Sequence, residues 1–204
     1  MTAAAQRVLV GQNVRVRPWV RTDAVAQELW PPYTEPLHSL WNLMRVDLNA
    51  DYGGRMSITR YAWAVEDTLG RLIGRISLRE VDDYAREARL GISLGAPYVG
   101  LGLGTEAMRV FLDYYFGEFG FERMVLDVAA FNQRAVRCYE RLGFVYLDSD
   151  WRSAGNDPSL RLLSDPQYAP LTPFFRRGRF ETFVEFYEMR LDRSVWIARR
   201  TGVS

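Results

Sequence analysis

Ala88-Arg89-Leu90-Gly91-Ile92-Ser93-Leu94 reads as a strand that leads through Gly95-Ala96-Pro97-Tyr98 into Val99-Gly100-Leu101-Gly102-Leu103-Gly104, and Thr105 to Phe116 then follows with helical spacing. Three glycines in five positions between a strand and a helix permit backbone angles closed to other residues and let a ligand approach the main-chain N–H groups. The unsatisfied N–H groups of the helix's first turn and its dipole favour an anion, so a phosphate or pyrophosphate is the natural guest. A purely structural turn is the competing reading, since glycine turns between strand and helix are frequent. The spacing is neither the dinucleotide Gly-x-Gly-x-x-Gly nor the P-loop, whose lysine this chain lacks.

Before the glycine turn the pattern is a meander. Val8-Leu9-Val10 and Val14-Arg15-Val16-Arg17 flank a turn at Gly11-Gln12-Asn13, and Pro18 stops the second run. Helices are expected at Thr22 to Trp30 and Glu35 to Met44, separated by Pro31-Pro32. Tyr61 to Val65 and Leu72 to Leu78 form a hairpin across Asp67-Thr68-Leu69-Gly70. In the helix after the turn, Ala107, Val110, Phe111 and Tyr114 mark the packed face, while Glu106, Arg109 and Asp113 form an exposed charged row. A strand at Arg123 to Ala129, a helix at Gln133 to Leu142 ended by Gly143, and a strand opening at Phe144-Val145-Tyr146-Leu147 follow. About thirty residues, 148–179, rich in Pro, Ser, Asp and Arg, exceed an ordinary hairpin loop and read as a functional insertion. Phe183 to Leu191 is the last strand, before a polar tail of modest helical character.

Composition narrows the chemistry. A chain of 204 residues, 48% apolar and 25% charged, fits one soluble globular domain with an insertion. The formal net charge of +1, from 26 basic and 25 acidic side chains, provides no bulk field for nucleic acid or anionic lipid. Every basic side chain is arginine, always charged and fork-shaped. One cysteine, Cys138, rules out an internal disulfide framework, and one histidine, His38, makes metal and Ser-His chemistry poor candidates. The opening residues lack a signal-peptide pattern and no apolar run reaches membrane-spanning length, so a cytoplasmic protein is expected.

Leu90 to Tyr98 running into Gly100 to Ala107 resembles the cofactor motif of the GNAT superfamily of N-acetyltransferases, usually written Arg/Gln-x-x-Gly-x-Gly/Ala. Its two small residues fall on Gly102 and Gly104, and its Arg or Gln falls on Val99. About 28 residues after Gly104, Asn132-Gln133-Arg134-Ala135 with Tyr139 and Gly143-Phe144 is similar to the family's second signature. The likeness runs from Val14 to about Leu191, and the N-terminal helices with Val14-Arg15-Val16-Arg17-Pro18 look most like the ribosomal-protein acetyltransferase branch. The resemblance implies an α+β fold of three layers: a central, mostly antiparallel twisted sheet of about seven strands flanked by helices, in a single domain over 1–204. It implies acetyl-CoA as co-substrate, no metal, and direct attack of a primary amine on the thioester, with a protein N-terminus, a polyamine or an antibiotic as acceptor. A homodimer is the prior for oligomeric state. A non-catalytic acyl-CoA sensor is the alternative of a different class, and a nucleotide-binding oxidoreductase a weaker third.

Carried over residue by residue, the cofactor site comprises Ile92, Ser93, Leu94, Val99, Gly100, Leu101, Gly102, Leu103, Gly104, Thr105, Asn132 and Tyr139. Main-chain N–H groups around Ile92 to Leu94 would hold the oxyanion. Tyr139 would protonate the departing thiolate, since a phenol of pKa near 10 keeps its proton at neutral pH; its alternative is packing beneath the sheet. Asn132 is either a ligand residue or only a helix cap. The position where relatives often carry a glutamate holds Arg89, so the base is taken as Glu87, with Glu80 and Asp127 as other candidates, each equally suited to surface pairing. Phe174-Phe175-Arg176-Arg177-Gly178-Arg179-Phe180 fits a substrate contact, a second subunit or an exposed lead-in to the last strand.

Overall fold

The computed structural model describes residues 7–43 and 61–202, which form a mixed α+β fold with a mostly antiparallel sheet and flanking helices. The described residues hold nine strands, against the about seven that the resemblance implies; the pair expected at Val8 to Val10 and Val14 to Arg17 is present, and the strand at Phe175–Arg177 is too brief for a period-2 pattern to announce. The chain divides into two compact units, one of 1–33, 56–126 and 190–204, the other of 34–55 and 127–189.

In the first unit, β1 (Leu9–Val10), β2 (Val14–Pro18), β3 (Tyr61–Asp67), β4 (Leu72–Asp82) and β5 (Glu87–Leu94) pair antiparallel in chain order. β6 (Arg123–Ala129) joins β5 in parallel, Glu87 opposite Arg123 through Leu90 opposite Leu126. The crossover between them is α2 (Leu103–Gly117), whose Phe111 ring lies 4.8 Å from that of fully buried Trp63 on β3. Trp63 stands opposite Ile76, and Ile76 opposite Ile92, so these residues and Leu94 share the sheet face that α2 covers.

The other face carries Arg17, Ala64, Arg75 and Ser93 in one cross-strand row. Here α1 (Arg21–Glu28) begins where Asp23, almost fully buried, accepts from the Val20 N–H at 2.8 Å and from both terminal nitrogens of Arg17 at 2.7 Å. Arg17 also donates Nε to Glu66, which Arg15 meets from the side. The Arg17 guanidinium holds the Asp23 carboxyl below its ordinary range despite burial, and the Val20 N–H adds to the effect.

One sequence expectation changes in this unit, and the helical character expected of the tail is present. Glu106 is part of no freely exposed row: its carboxylate accepts from the Asn13 N–H at 2.6 Å and the Asn13 amide at 3.0 Å, clamping the β1–β2 turn to α2. Burial alone would raise its pKa, but the donors from the turn outweigh it and the carboxyl lies below its usual value. The C-terminal tail is a helix, α4 (Arg193–Thr201), anchored by buried Trp196, whose indole donates to Asp113 at 3.0 Å.

In the second unit, α3 (Gln133–Leu142) precedes β7 (Val145–Ser153), and β8 (Phe175–Arg177) pairs antiparallel with β9 (Thr182–Asp192). The helix expected at Glu35 to Met44 appears as a single 3₁₀ turn, His38–Leu40, entered through Leu37 in the left-handed region, and Met44 lies outside the described residues. Of the insertion expected at 148–179, residues 148–153 continue β7 and 175–177 are β8; between them run two 3₁₀ stretches, Pro158–Ser164 and Pro166–Phe174, because the prolines deny the N–H groups a longer α-helix needs. Its Leu160, Leu163, Leu171 and Phe174 pack against a core of Leu37, Leu40, Phe131, Val184 and Phe186. Arg176 stacks on Trp151 at 3.8 Å, and Phe180 is exposed.

Candidate acyl-donor site

Gly100 and Gly102 have φ of 83° and 81°, left-handed angles that a side chain resists, and Gly102 is the N-cap of α2 with no side-chain cap. The first helical bond runs from the Glu106 N–H to the Gly102 carbonyl at 3.0 Å, leaving the Leu103 and Gly104 N–H groups without an acceptor in the helix. Two uncapped donors at the positive end of a fifteen-residue helix attract an anion. Gly104 answers a different need: a Cβ there would sit 2.6 Å from Leu94 Cδ1, and one on Gly74 would sit 2.8 Å from Leu94 Cδ2. Leu94 thus lies between two glycines on the α2 face. Val99 ends a 3₁₀ turn in extended conformation, and Leu101 is exposed.

Strand geometry decides which main-chain groups of β5 face outward. The Gly95 N–H donates to the Ile73 carbonyl at 2.9 Å, and hydrogen-bonded pairs in an antiparallel ladder alternate, so Gly91 and Ser93 also turn their main chain to β4. Leu90, Ile92 and Leu94 turn theirs the other way. Leu90 reaches the end of the register with β6, and that register does not continue to Ile92 or Leu94. Of the three positions taken from the sequence as oxyanion donors, Ile92 and Leu94 therefore present N–H groups away from the ladder, whereas Ser93 is turned into it.

Residues the sequence reading missed finish this end of β5. The Tyr33 hydroxyl donates to the Leu94 carbonyl. Trp30 donates its indole N–H to the Leu72 carbonyl at 3.1 Å and packs its ring where a Cβ of Gly95 would be, 3.2 Å away. Both aromatics lie some sixty residues upstream, and only the Pro31-Pro32 break between them hinted at a special segment.

In the second unit, Asn132 caps α3, its side-chain oxygen accepting from the Ala135 N–H at 3.3 Å. Gly143 closes the helix at φ 102°, with Phe144 N–H on the Tyr139 carbonyl and Gly143 N–H on the Glu140 carbonyl, both at 3.0 Å. This Schellman geometry is the physical content of the Gly-Phe signature. Tyr139 is half-buried with its ring edge-on to Phe144 at 5.8 Å. Burial, with a smaller contribution from Cys138, raises its phenol above the ordinary value, so the proton is firmly held.

The candidate bases are all engaged. Glu87 accepts from Arg123 Nε at 2.8 Å and opens β5, seven residues or roughly 23 Å of strand before Leu94. Glu80 pairs with Arg89 at 2.6 Å. Asp127 pairs with Arg152 at 3.3 Å, a buried guanidinium that also meets Asp150, the Leu43 carbonyl and the Phe186 ring. Among the described residues no group of His, Cys, Asp and Glu is arranged to hold a metal ion, and no helix is long and apolar enough to cross a membrane.

Residues 13–145 match the acetyltransferase (GNAT) domain family, and the chain belongs to it. Among curated relatives, a spermidine N(1)-acetyltransferase of Vibrio cholerae is 34% identical over 83 residues, 41% of this chain and 48% of that protein. A Bacillus subtilis protein named "Probable N-acetyltransferase YjcK" is 29% identical over 153 residues, 67% of this chain and 83% of that one. The chain spans about half the length of the first curated relatives it matches. The fold is shared with mutant forms of the spermidine/spermine N-acetyltransferase SpeG of Vibrio cholerae, at a TM-score of 0.58 and 21% identity, covering 92% of this chain and 98% of that one.

Proposed function

We propose that this chain transfers an acetyl group from acetyl-CoA to a primary amine, with a protein N-terminus as the leading acceptor. The observation that carries the reading is the conjunction, within one compact unit, of the uncapped N-terminus of α2 with the outward N–H groups of Ile92 and Leu94. The first suits a pyrophosphate and the second a thioester carbonyl. Gly102 and Gly104 would let the donor's phosphates approach the main chain, and the Ile92 and Leu94 N–H groups would stabilise negative charge growing on the carbonyl oxygen during amine attack. Tyr139, its proton firmly held, supplies the acid for the departing thiolate. The amine attacks without an acyl-enzyme step, and Glu87, held by Arg123 at the start of β5, has a structural ion pair as its supported role.

A polyamine acceptor is the second reading, favoured by a relative whose name specifies spermidine. A thermal-shift comparison tests the donor, because a ligand that binds only the native state raises its stability by mass action. Acetyl-CoA should raise Tm and NADH should not; the reverse result would overturn the reading. Release of CoA thiol only when an amine is added separates an enzyme from an acyl-CoA sensor.

A further inference from the structure

Arg17 and Arg75 stand in the same cross-strand row on the face opposite α2, with Ala64 between them and Ser93 beyond Arg75. Their surroundings differ. Arg17 is answered by Asp23 and Glu66, and Arg15 by Glu66. Arg75 is half-buried, with its guanidinium over the Trp19 ring at 4.9 Å, and its buried Nε has no hydrogen-bond partner. Among the described residues no carboxylate pairs with it. The ring supplies a cation–π contact but no hydrogen-bond acceptor, and leaving such a charge half-buried without a counter-ion is costly unless a ligand supplies one.

Position indicates which ligand. Ser93 faces Arg75 across the ladder and is flanked in sequence by Ile92 and Leu94, so Arg75 arises from the strand next to the one whose N–H groups are assigned to the thioester. The donor's phosphates are assigned to the α2 end, on the other face, so they are not Arg75's partner. Trp30, against Gly95, lines the same face as Arg75. Resting on the acetyl-transfer reading above, we propose that Arg75 binds a carboxylate of the acceptor, and that the acceptor is an amine bearing an acidic group, as in a peptide with an acidic residue close to its free N-terminus, and not a polycation. The planar fork matches a carboxylate with two parallel N–H donors.

The test uses the full chain, acetyl-CoA and three probes: the C-terminally amidated tetrapeptides Ser-Glu-Ala-Ala and Ser-Gln-Ala-Ala, and spermidine. CoA release should favour the acidic peptide over its amide twin by about tenfold in kcat/KM, carried by KM, the scale of one charge-assisted hydrogen bond. Spermidine should rank last. Arg75→Gln should abolish the ratio between the two peptides while acetyl-CoA affinity and Tm hold, and Arg75→Lys, a charge without the fork, should retain part of it. Where none of the probes is turned over, the same ratio is read from peptide-induced Tm shifts with CoA bound. Equal treatment of the two peptides by the unaltered protein, a ratio that survives Arg75→Gln, or spermidine as the best acceptor would overturn the proposal. Failure to bind acetyl-CoA in calorimetry is a different outcome, which removes the acetyl-transfer reading first.

Discussion

A Cβ on Gly104 would fall 2.6 Å from Cδ1 of Leu94, so a side chain there would have to push the end of the Leu94 side chain, on the last residue of β5, out of its place against the first turn of α2. The glycine at 102 has a different constraint: no heavy atom lies within 4 Å of its would-be Cβ, but its φ is 81°.

The two glycines should therefore fail differently. Gly104→Val forces Leu94 aside and should cost about 1–3 kcal/mol in overpacking, with acetyl-CoA affinity falling at least tenfold. Gly102→Ala should cost about 1–2 kcal/mol from backbone strain alone. Urea melts paired with calorimetry on acetyl-CoA check both; a Gly104→Val protein that keeps full affinity would remove Leu94 and α2 from the donor site.

Tyr139→Phe should lower kcat by about a hundredfold or more and leave the Kd for acetyl-CoA nearly unchanged, as expected for the loss of a general acid. Burial raises this phenol, so the acid stays protonated past pH 10 and no falling limb should appear below that pH. The rising limb belongs to the amine, near pH 8 for an N-terminus and near 10.4 for a lysine-like amine. A pH–rate profile with one acceptor of each kind tests both statements.

Much of the site was legible because it is local in sequence. The glycine turn, the Asn132 cap and the Gly143-Phe144 stop are consecutive-residue motifs whose backbone demands can be read from residue type. That Ile92 and Leu94 turn their N–H groups away from β4 while Ser93 does not needed the strand register, which one sequence does not reveal. Tyr33, Trp30 and Trp19 reach their partners across some forty to sixty residues, and no periodicity encodes such meetings. Glu106 looked solvated because helical spacing shows which residues share a face, but not what a neighbouring turn brings to it.

Asp23→Asn should destabilise the first unit by about 3 kcal/mol, since it takes the charge from a buried carboxylate and leaves the half-buried Arg17 with one fewer partner. Because the folded-state pKa of Asp23 is depressed, its stabilisation is fully present above the unfolded value near 3.9 and is lost as pH falls through the lower folded value. Arg17 remains charged throughout and adds no titration in that window. The unaltered protein should lose Tm steeply below about pH 4, and Asp23→Asn should flatten that slope.

Trp196→Ala should cost about 3–5 kcal/mol by leaving a cavity beneath α4. Asp113→Ala, which removes the acceptor of the indole N–H together with the exposed ion-pair partner of Arg200, should cost about 1 kcal/mol. Chemical denaturation of both variants checks the order, and equal losses would mean that the hydrogen bond, and not burial, holds the helix.

Trp30 gives the protein a built-in optical reporter. Its indole packs against Gly95, the residue immediately after Leu94, and is tied to the Leu72 carbonyl. Emission from that ring should change when a thioester settles on β5, and Trp30→Phe would subtract its share from that of the other five tryptophans. Donor occupancy could then be followed in real time with unlabelled protein, before any acceptor is known.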